Sequence, residues 1–421
     1  MSIDFHYHTT EIENKNYKDH ELFHQFKKTI AREDIGFFQL TTQTELLNQT
    51  KDLYEKFRHK KHIIQIGIGG SALGPQMLVN ALTNETERTF TLLDNVDADY
   101  IHRELNKISL QEGLFYVVSK SGGTAETLAC YAIVRNLLLK QGIKEEEFAS
   151  YFVFCTEDKD SELMQHIKDN QYDFLEIPLN IGGRFSVLSP VGLFPACFFG
   201  IAVDELWQGA EAIKTNLLNE DLNQNSLVQT ASRVLELYHQ GVNQTVLMPY
   251  SSILRDLSFW FVQLWAESLG KWSEAQQKHI GLTPVPAYGA TDQHSQVQLF
   301  MEGPSDKLIF LLSTQKTKTD YALASNLPLA RAQKLSDYSL NQLMLAEFKG
   351  TLKALKENKK QVIELNLDKI SAHNLGGLIL FFESLTTMVG EALKIDPFNQ
   401  PGVEKGKIYA FSYLEKGPKV R

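Results

Sequence analysis

Four features of this chain have residue types and spacing that could do chemistry together. They are a carboxylate on a helix, two loops dense in anion donors, and an arginine behind paired glycines. The carboxylate is Glu267, in Gln263-Leu264-Trp265-Ala266-Glu267-Ser268-Leu269-Gly270-Lys271. Ile253, Leu254, Leu257, Phe261, Leu264 and Trp265 recur at helical spacing and predict an amphipathic helix. At about 3.6 residues per turn, Asp256, Trp260, Gln263 and Glu267 are predicted on the face away from that stripe. On this helix alone, Glu267 reads as a solvated charge. The loops upstream give it a chemical context.

The densest loop is Ser119-Lys120-Ser121-Gly122-Gly123-Thr124-Ala125-Glu126-Thr127. It leaves an apolar strand and opens a helix. Hydroxyls and backbone N–H groups at a helix start can ring a phosphate, and the helix dipole adds to them. An ordinary N-cap needs one or two such residues, not this many. The earlier loop, Gly67-Ile68-Gly69-Gly70-Ser71-Ala72-Leu73-Gly74-Pro75, also runs from strand to helix. It fits an anion cradle. It equally fits the dinucleotide fingerprint Gly67-x-Gly69-x-x-Ala72, with Asp94 ending the next strand where an acid would hold a ribose. A plain tight turn is the third reading. In Gly182-Gly183-Arg184-Phe185-Ser186, the glycines allow close backbone approach and Arg184 brings a permanent cation with planar donors.

Two further segments are less telling on their own. His294 lies in the polar loop Tyr288-Gly289-Ala290-Thr291-Asp292-Gln293-His294 and could titrate near neutrality, as many idle histidines do. In Asn399-Gln400-Pro401-Gly402-Val403-Glu404-Lys405-Gly406-Lys407, Pro401 suits a first helical turn and Lys407 alone reads as a solvated side chain. His20-Glu21-Leu22-Phe23-His24 matches the pattern of a zinc protease helix. It sits in a charged leader without a third ligand nearby, and is read as chance.

These residues need a frame to position them. Apolar strands are predicted at 62–68, 88–94, 114–118 and 151–154, with helical patterns between them. After a polar junction at 216–225 a second alternation places strands at 244–250, 307–312 and 361–365. Alternating strands and helices predict parallel sheets covered on both faces. The expected fold is therefore α/β: two doubly wound, mainly parallel sandwiches in series with a helical C-terminal arm. The expected boundaries are a helical leader over 1–40, domains over 41–215 and 216–385, and the arm over 386–421. Pro190 to Val203, the longest apolar stretch noted, is too short for a membrane span and reads as a buried helix start. The tail from Glu415 is basic and expected to be mobile.

Composition narrows the partners. At 421 residues two domains are the prior. A net charge of −9 without a basic block argues against nucleic acid. Cys130, Cys155 and Cys197 are too few and scattered for a disulfide framework or a zinc ribbon, which suits a reducing cytoplasm. Met1 to Asp19 is polar and mixed in charge, unlike a secretory signal.

Taken in order from Gly67 to Lys407, these motifs resemble those of the phosphoglucose isomerase family, most closely its shorter bacterial form. The resemblance implies two sugar-isomerase domains, a C-terminal arm, and a homodimer with sites between subunits. It implies glucose 6-phosphate and fructose 6-phosphate as substrates, interconverted through an enediol without metal or redox cofactor. By position, Ser119, Ser121, Thr124 and Thr127 would bind phosphate with Lys120 nearby. Gly69, Gly70, Ser71 and Gly183 would line the sugar, and Gln263 and Gln400 would hold its oxygens. Glu267 would carry the proton between C1 and C2, Arg184 would stabilise the enediolate, and His294 and Lys407 would assist ring opening. His294 is expected from the neighbouring subunit. Gly123 and Ala125 depart from the family's usual hydroxyls. Backbone N–H groups could take their place.

The chemistry fits the residue types. Aldose–ketose exchange needs a carboxylate within hydrogen-bond reach of C1 and C2. It also needs a fixed positive charge beside the oxygen that becomes anionic. A base working near neutrality must be partly desolvated. Two rivals remain: a nicotinamide-dependent dehydrogenase on the Gly67 loop, and a non-enzymatic sugar-phosphate sensor. A sensor has no need of Glu267, Arg184 and Lys407 together. A dual glucose/mannose phosphate isomerase is a variant within the enzyme class.

Overall fold

The computed structural model describes residues 3–10, 16–83, 87–323 and 328–417. Its strands are β1 (Ile3–His8), β2 (His62–Ile66), β3 (Thr89–Leu93), β4 (Gly113–Val118), β5 (Phe152–Thr156), β6 (Asp173–Glu176), β7 (Gln244–Pro249), β8 (Lys271–Ser273), β9 (Lys278–Ile280), β10 (Thr283–Pro286), β11 (Lys307–Lys316) and β12 (Gln361–Lys369). One sheet runs β3-β2-β4-β5-β6 and is parallel throughout. The other runs β1-β12-β11-β7-β10, parallel except for β1. β8 and β9 form a separate small hairpin. The α/β class, the parallel pairing and the doubly wound order agree with the sequence reading. The central strands β4 and β5 are buried at every position, which is why they read as continuous apolar runs.

The leader differs from expectation. Residues Ile3–His8 form a strand, not a helix, and pair antiparallel with β12 of the second sheet. Among the described residues of the leader, only Asp19–Ile30 is α-helical. The junction after Asn216 is a loop, because one helix ends at Leu217 and the next begins at Ser226 under an Asn225 cap. Pro190–Phe198 is the buried helix expected there, with Ser189 as its N-cap. The C-terminal helix Glu404–Lys416 runs through Glu415, where a mobile tail was expected to begin. Residues 418–421 lie outside the described residues.

A helix that the sequence reading passed over holds the centre. Ala372–Ala392 is long and apolar enough to cross a membrane, yet 89% of its apolar window is buried inside the protein. It crosses the helix Val203–Leu217 at backbone distance. A Cβ on Gly209 would lie 1.7 Å from the His373 carbonyl oxygen, and one on Gly376 would lie 1.9 Å from that of Leu206. Glu383 sits in this helix, 1% exposed, with Oε1 lacking a partner among the described residues. Burial drives its carboxyl well above the usual range. A raised acid favours the fold below the ordinary carboxylate pKa of about 4.3 and progressively loses that contribution as pH rises. Glu383→Gln is therefore expected to raise Tm at pH 8 by about a few degrees and to change it little at pH 4. Calorimetry at both pH values would check this, and equal shifts would contradict it.

Candidate active site

In the first sheet the strand order reverses between β2 and β4. Crevices at such reversals, outside the carboxyl ends of the strands, are where open α/β sheets bind ligands. The Gly67 loop leaves β2 and the Ser119 loop leaves β4. The topology therefore brings both anion-donor loops to one crevice.

The Ser119 loop gathers hydroxyls and backbone N–H groups at the start of a helix. Ser119 is 2% exposed, and its Oγ lies 3.0 Å from Thr124 Oγ1. Gly122 turns the chain at φ +75°, and Gly123 N donates to Ser121 Oγ at 3.3 Å. Thr124 starts the helix Ala125–Lys140 without using its side chain as a cap. Thr127 Oγ1 is buried without a partner among the described residues. First-turn N–H groups of a helix have no partner within the helix itself and are the groups that can donate to an anion. Lys120 is committed elsewhere: its Nζ pairs with Glu157 Oε1 at 3.3 Å and donates to the Leu179 carbonyl at 3.4 Å.

The Gly67 loop uses its glycines to approach other loops. Residues Gly69–Ser71 form a short 3-10 turn, with Gly69 at φ +62°. A Cβ on Gly70 would lie 2.1 Å from the Gly183 carbonyl oxygen, and one on Gly69 would lie 2.8 Å from Gln263 Nε2. The pattern that read equally as a dinucleotide fingerprint is occupied by protein backbone and Gln263. Gly70→Ala must push the Gly183–Arg184 backbone away. A displacement near 1 Å is expected to lower kcat/KM about 100-fold with unchanged far-UV circular dichroism. Near-normal kinetics would show that the two loops need not abut.

Arg184 joins three parts of the chain. Its Nε donates to Ser268 Oγ at 2.7 Å, and Nη1 donates to Glu267 Oε2 at 3.3 Å and Gln400 Oε1 at 2.9 Å. Nη2 donates to the carbonyls of Pro397 at 2.5 Å and Asn399 at 3.1 Å. All five guanidinium donors are used, in a side chain only 3% exposed. Burial pulls the guanidinium down, and Glu267 and Asp396 oppose that. Glu267 keeps 34% of its side chain exposed, so one face of the carboxylate remains open to a ligand. Gln263, one turn earlier on the helix Arg255–Leu269, holds a buried Oε1 without a partner among the described residues. Trp260 corrects the helical reading: it is 2% exposed, in the core, although its register put it with Glu267.

The structure thus groups Arg184, Glu267 and Gln400, sets Gln263 against Gly69, and sets Gly183 against Gly70. His294 and Lys407 are not joined to them. His294 is exposed at the end of the turn Thr291–His294, and Lys407 pairs with Glu404 at 2.8 Å on the C-terminal helix. Neither makes a hydrogen bond or ion pair with Glu267 or Arg184. Sequence reasoning missed Ser268 and the carbonyls of Pro397 and Asn399. Ser268 had a signal, being a small polar residue beside the carboxylate; the carbonyls had none. His20 and His24 are exposed on the helix Asp19–Ile30. No group of three His, Cys, Asp or Glu residues suited to a metal occurs among the described residues.

Known proteins resemble this chain over most of its length. The family model described as "Phosphoglucose isomerase" matches residues 24–419. A glucose-6-phosphate isomerase of Thermus thermophilus is 37% identical over 374 residues, covering 89% of this chain and 88% of that one. One from Carboxydothermus hydrogenoformans is 35% identical over 90% of this chain and 85% of its own length. Among solved structures, a hypothetical protein from Thermus thermophilus superposes with a TM-score of 0.89 at 35% identity, over 94% of both chains. A glucose-6-phosphate isomerase from Chlamydia trachomatis shares the fold, with a TM-score of 0.76 at 23% identity over 94% of this chain and 78% of that one.

Proposed function

The chain belongs to the phosphoglucose isomerase family and interconverts glucose 6-phosphate and fructose 6-phosphate, and from that premise we propose how its residues divide the work. Glu267 is the base that moves the proton between C1 and C2. The observation that carries this is its position: a partly open carboxylate 3.3 Å from a saturated guanidinium, on a helix whose Gln263 meets the Gly67 loop. The substrate phosphate sits at Ser119, Ser121, Thr124, Thr127 and the first-turn N–H groups. Holding the phosphate there fixes the open chain in register with Glu267, so remote binding energy serves the reacting carbons.

Arg184 offsets the negative charge that builds on the enediolate. All its donors are engaged, so it acts as a fixed charge that does not reorient during the reaction. A sugar oxygen can also replace Gln400 at Nη1. In deuterium oxide the wild type is expected to exchange the C2 hydrogen of glucose 6-phosphate during turnover, read by proton NMR. Exchange undiminished in Glu267→Gln would reassign the base.

His294 and Lys407 act in ring opening, with His294 supplied by a second copy. Support comes from two exposed features. His294 has no hydrogen-bond or ion-pair partner among the described residues of its own chain. The helix Glu404–Lys416 has no buried residue, while Ile408, Tyr409, Phe411, Tyr413 and Leu414 are all more than half exposed. Such a face suits a homodimer contact. The three buried free cysteines suit a reducing, cytoplasmic setting. Mixing inactive His294→Ala and Glu267→Gln chains is expected to restore roughly a quarter of wild-type activity. Random pairing makes half the dimers mixed, each with one intact site. No recovery on subunit exchange would place His294 in its own chain's site or outside the chemistry.

A further inference from the structure

Lys271 begins β8, directly beyond the helix that carries Glu267. Its Nζ donates to the carbonyl of Glu267 and, at 3.2 Å, to that of Ser268. Those two residues supply the carboxylate of the site and the hydroxyl that fixes Arg184 Nε. A lysine at a helix C-terminus commonly binds the last carbonyls, and an exposed one does so at little cost. This one is only partly exposed and shares its surroundings with the Arg184 guanidinium. Setting a second cation beside a buried first one is unfavourable, and a simple cap would not require it.

We propose that Lys271 is a positioning residue for the isomerisation, clamping the last turn of the Glu267 helix so that Glu267 and Ser268 keep their places against Arg184. This rests on Glu267 being the base, as argued above. The clamp is strongest while the ammonium is charged, because the neutral amine keeps two N–H donors but loses the charge that strengthens both bonds. The charged groups facing it are Arg184, which disfavours its charge, and Asp396 and Glu267, which favour it. Burial is the largest influence, and together they bring its pKa down to about 8. Wild-type kcat is therefore expected to decline above about pH 8 as the clamp loses its proton.

The test compares Lys271→Met and Lys271→Arg with wild type, using fructose 6-phosphate from pH 6 to 9.5. Lys271→Met is expected to lower kcat about 10- to 100-fold at pH 7, with KM changed less than about threefold. Its residual rate should have no decline near pH 8. Lys271→Arg should recover most of kcat and hold it above pH 8.5. A folded Lys271→Met enzyme within twofold of wild-type kcat would overturn the proposal, as would a loss confined to KM. If Lys271→Met fails to fold, Lys271→Arg decides: an alkaline decline coinciding with that of wild type would overturn it. Failure of the underlying assignment is read separately, from Glu267→Gln with Lys271 intact. Full turnover there would remove Glu267 as base whatever the Lys271 variants do.

Discussion

Glu267→Gln is expected to lower kcat by about 100- to 10,000-fold, the range for loss of a general base, while the protein folds as before. The amide has the shape of the carboxylate and can still accept from Arg184 Nη1 through its carbonyl oxygen. Arg184 keeps its bonds to Ser268, Gln400, Pro397 and Asn399, and the Glu267 side of the pair is partly exposed, so the cost to the fold should stay well below that of losing Arg184. KM for fructose 6-phosphate should stay within about threefold, because the phosphate seat at Ser119–Thr127 is untouched. Steady-state kinetics with a thermal melt would check both halves. A rise in KM at constant kcat would mean that Glu267 binds the sugar and does not move its proton.

Arg184→Lys is expected to damage both activity and stability. A lysine carries the charge but has three donors on one nitrogen. It cannot span Ser268 Oγ, Glu267, Gln400 and the carbonyls of Pro397 and Asn399 together. Two or more acceptors would lose their donor in a buried place. Breaking a buried charged group from its partners costs about 3 to 5 kcal/mol. The low end applies here, because Glu267 is partly solvated. The catalytic loss should exceed about 100-fold, since removing a single donor at a developing oxyanion reaches that. The measurement is kcat/KM alongside chemical denaturation. An enzyme with normal stability and lowered activity would limit Arg184 to an electrostatic part, and normal activity would remove it from the chemistry.

Much of the frame was legible because buried parallel strands spell themselves as apolar runs. The exceptions have physical causes. β1 alternates Ile3, Phe5 and Tyr7 with Asp4, His6 and His8, as an antiparallel edge strand does, and its polar half read as leader. β10 carries Pro284 and Pro286, tolerable only because it lies at the sheet's edge. Trp260 defied its helical register because the exposed stripe of that helix runs through Arg255, Phe259 and Ala266, one position away, which leaves Trp260 on the packed side. Within the site, Arg184 and Glu267 were legible as motifs. The pairing of Lys120 was not, because Glu157, which holds it, lies beyond another strand. Carbonyl acceptors leave no trace in a sequence at all.

Three of the five bonds made by Arg184 end on Pro397, Asn399 and Gln400, more than 210 residues along the chain. Contacts between such distant segments form late, since the intervening chain must close first. During synthesis the strands of the first sheet emerge while the ribosome still holds the C-terminal residues. The guanidinium would then wait beside partners that have not yet emerged. Activity should accordingly appear only once the completed chain is released, and nascent chains halted before Pro397 should fold much of their structure yet turn over nothing.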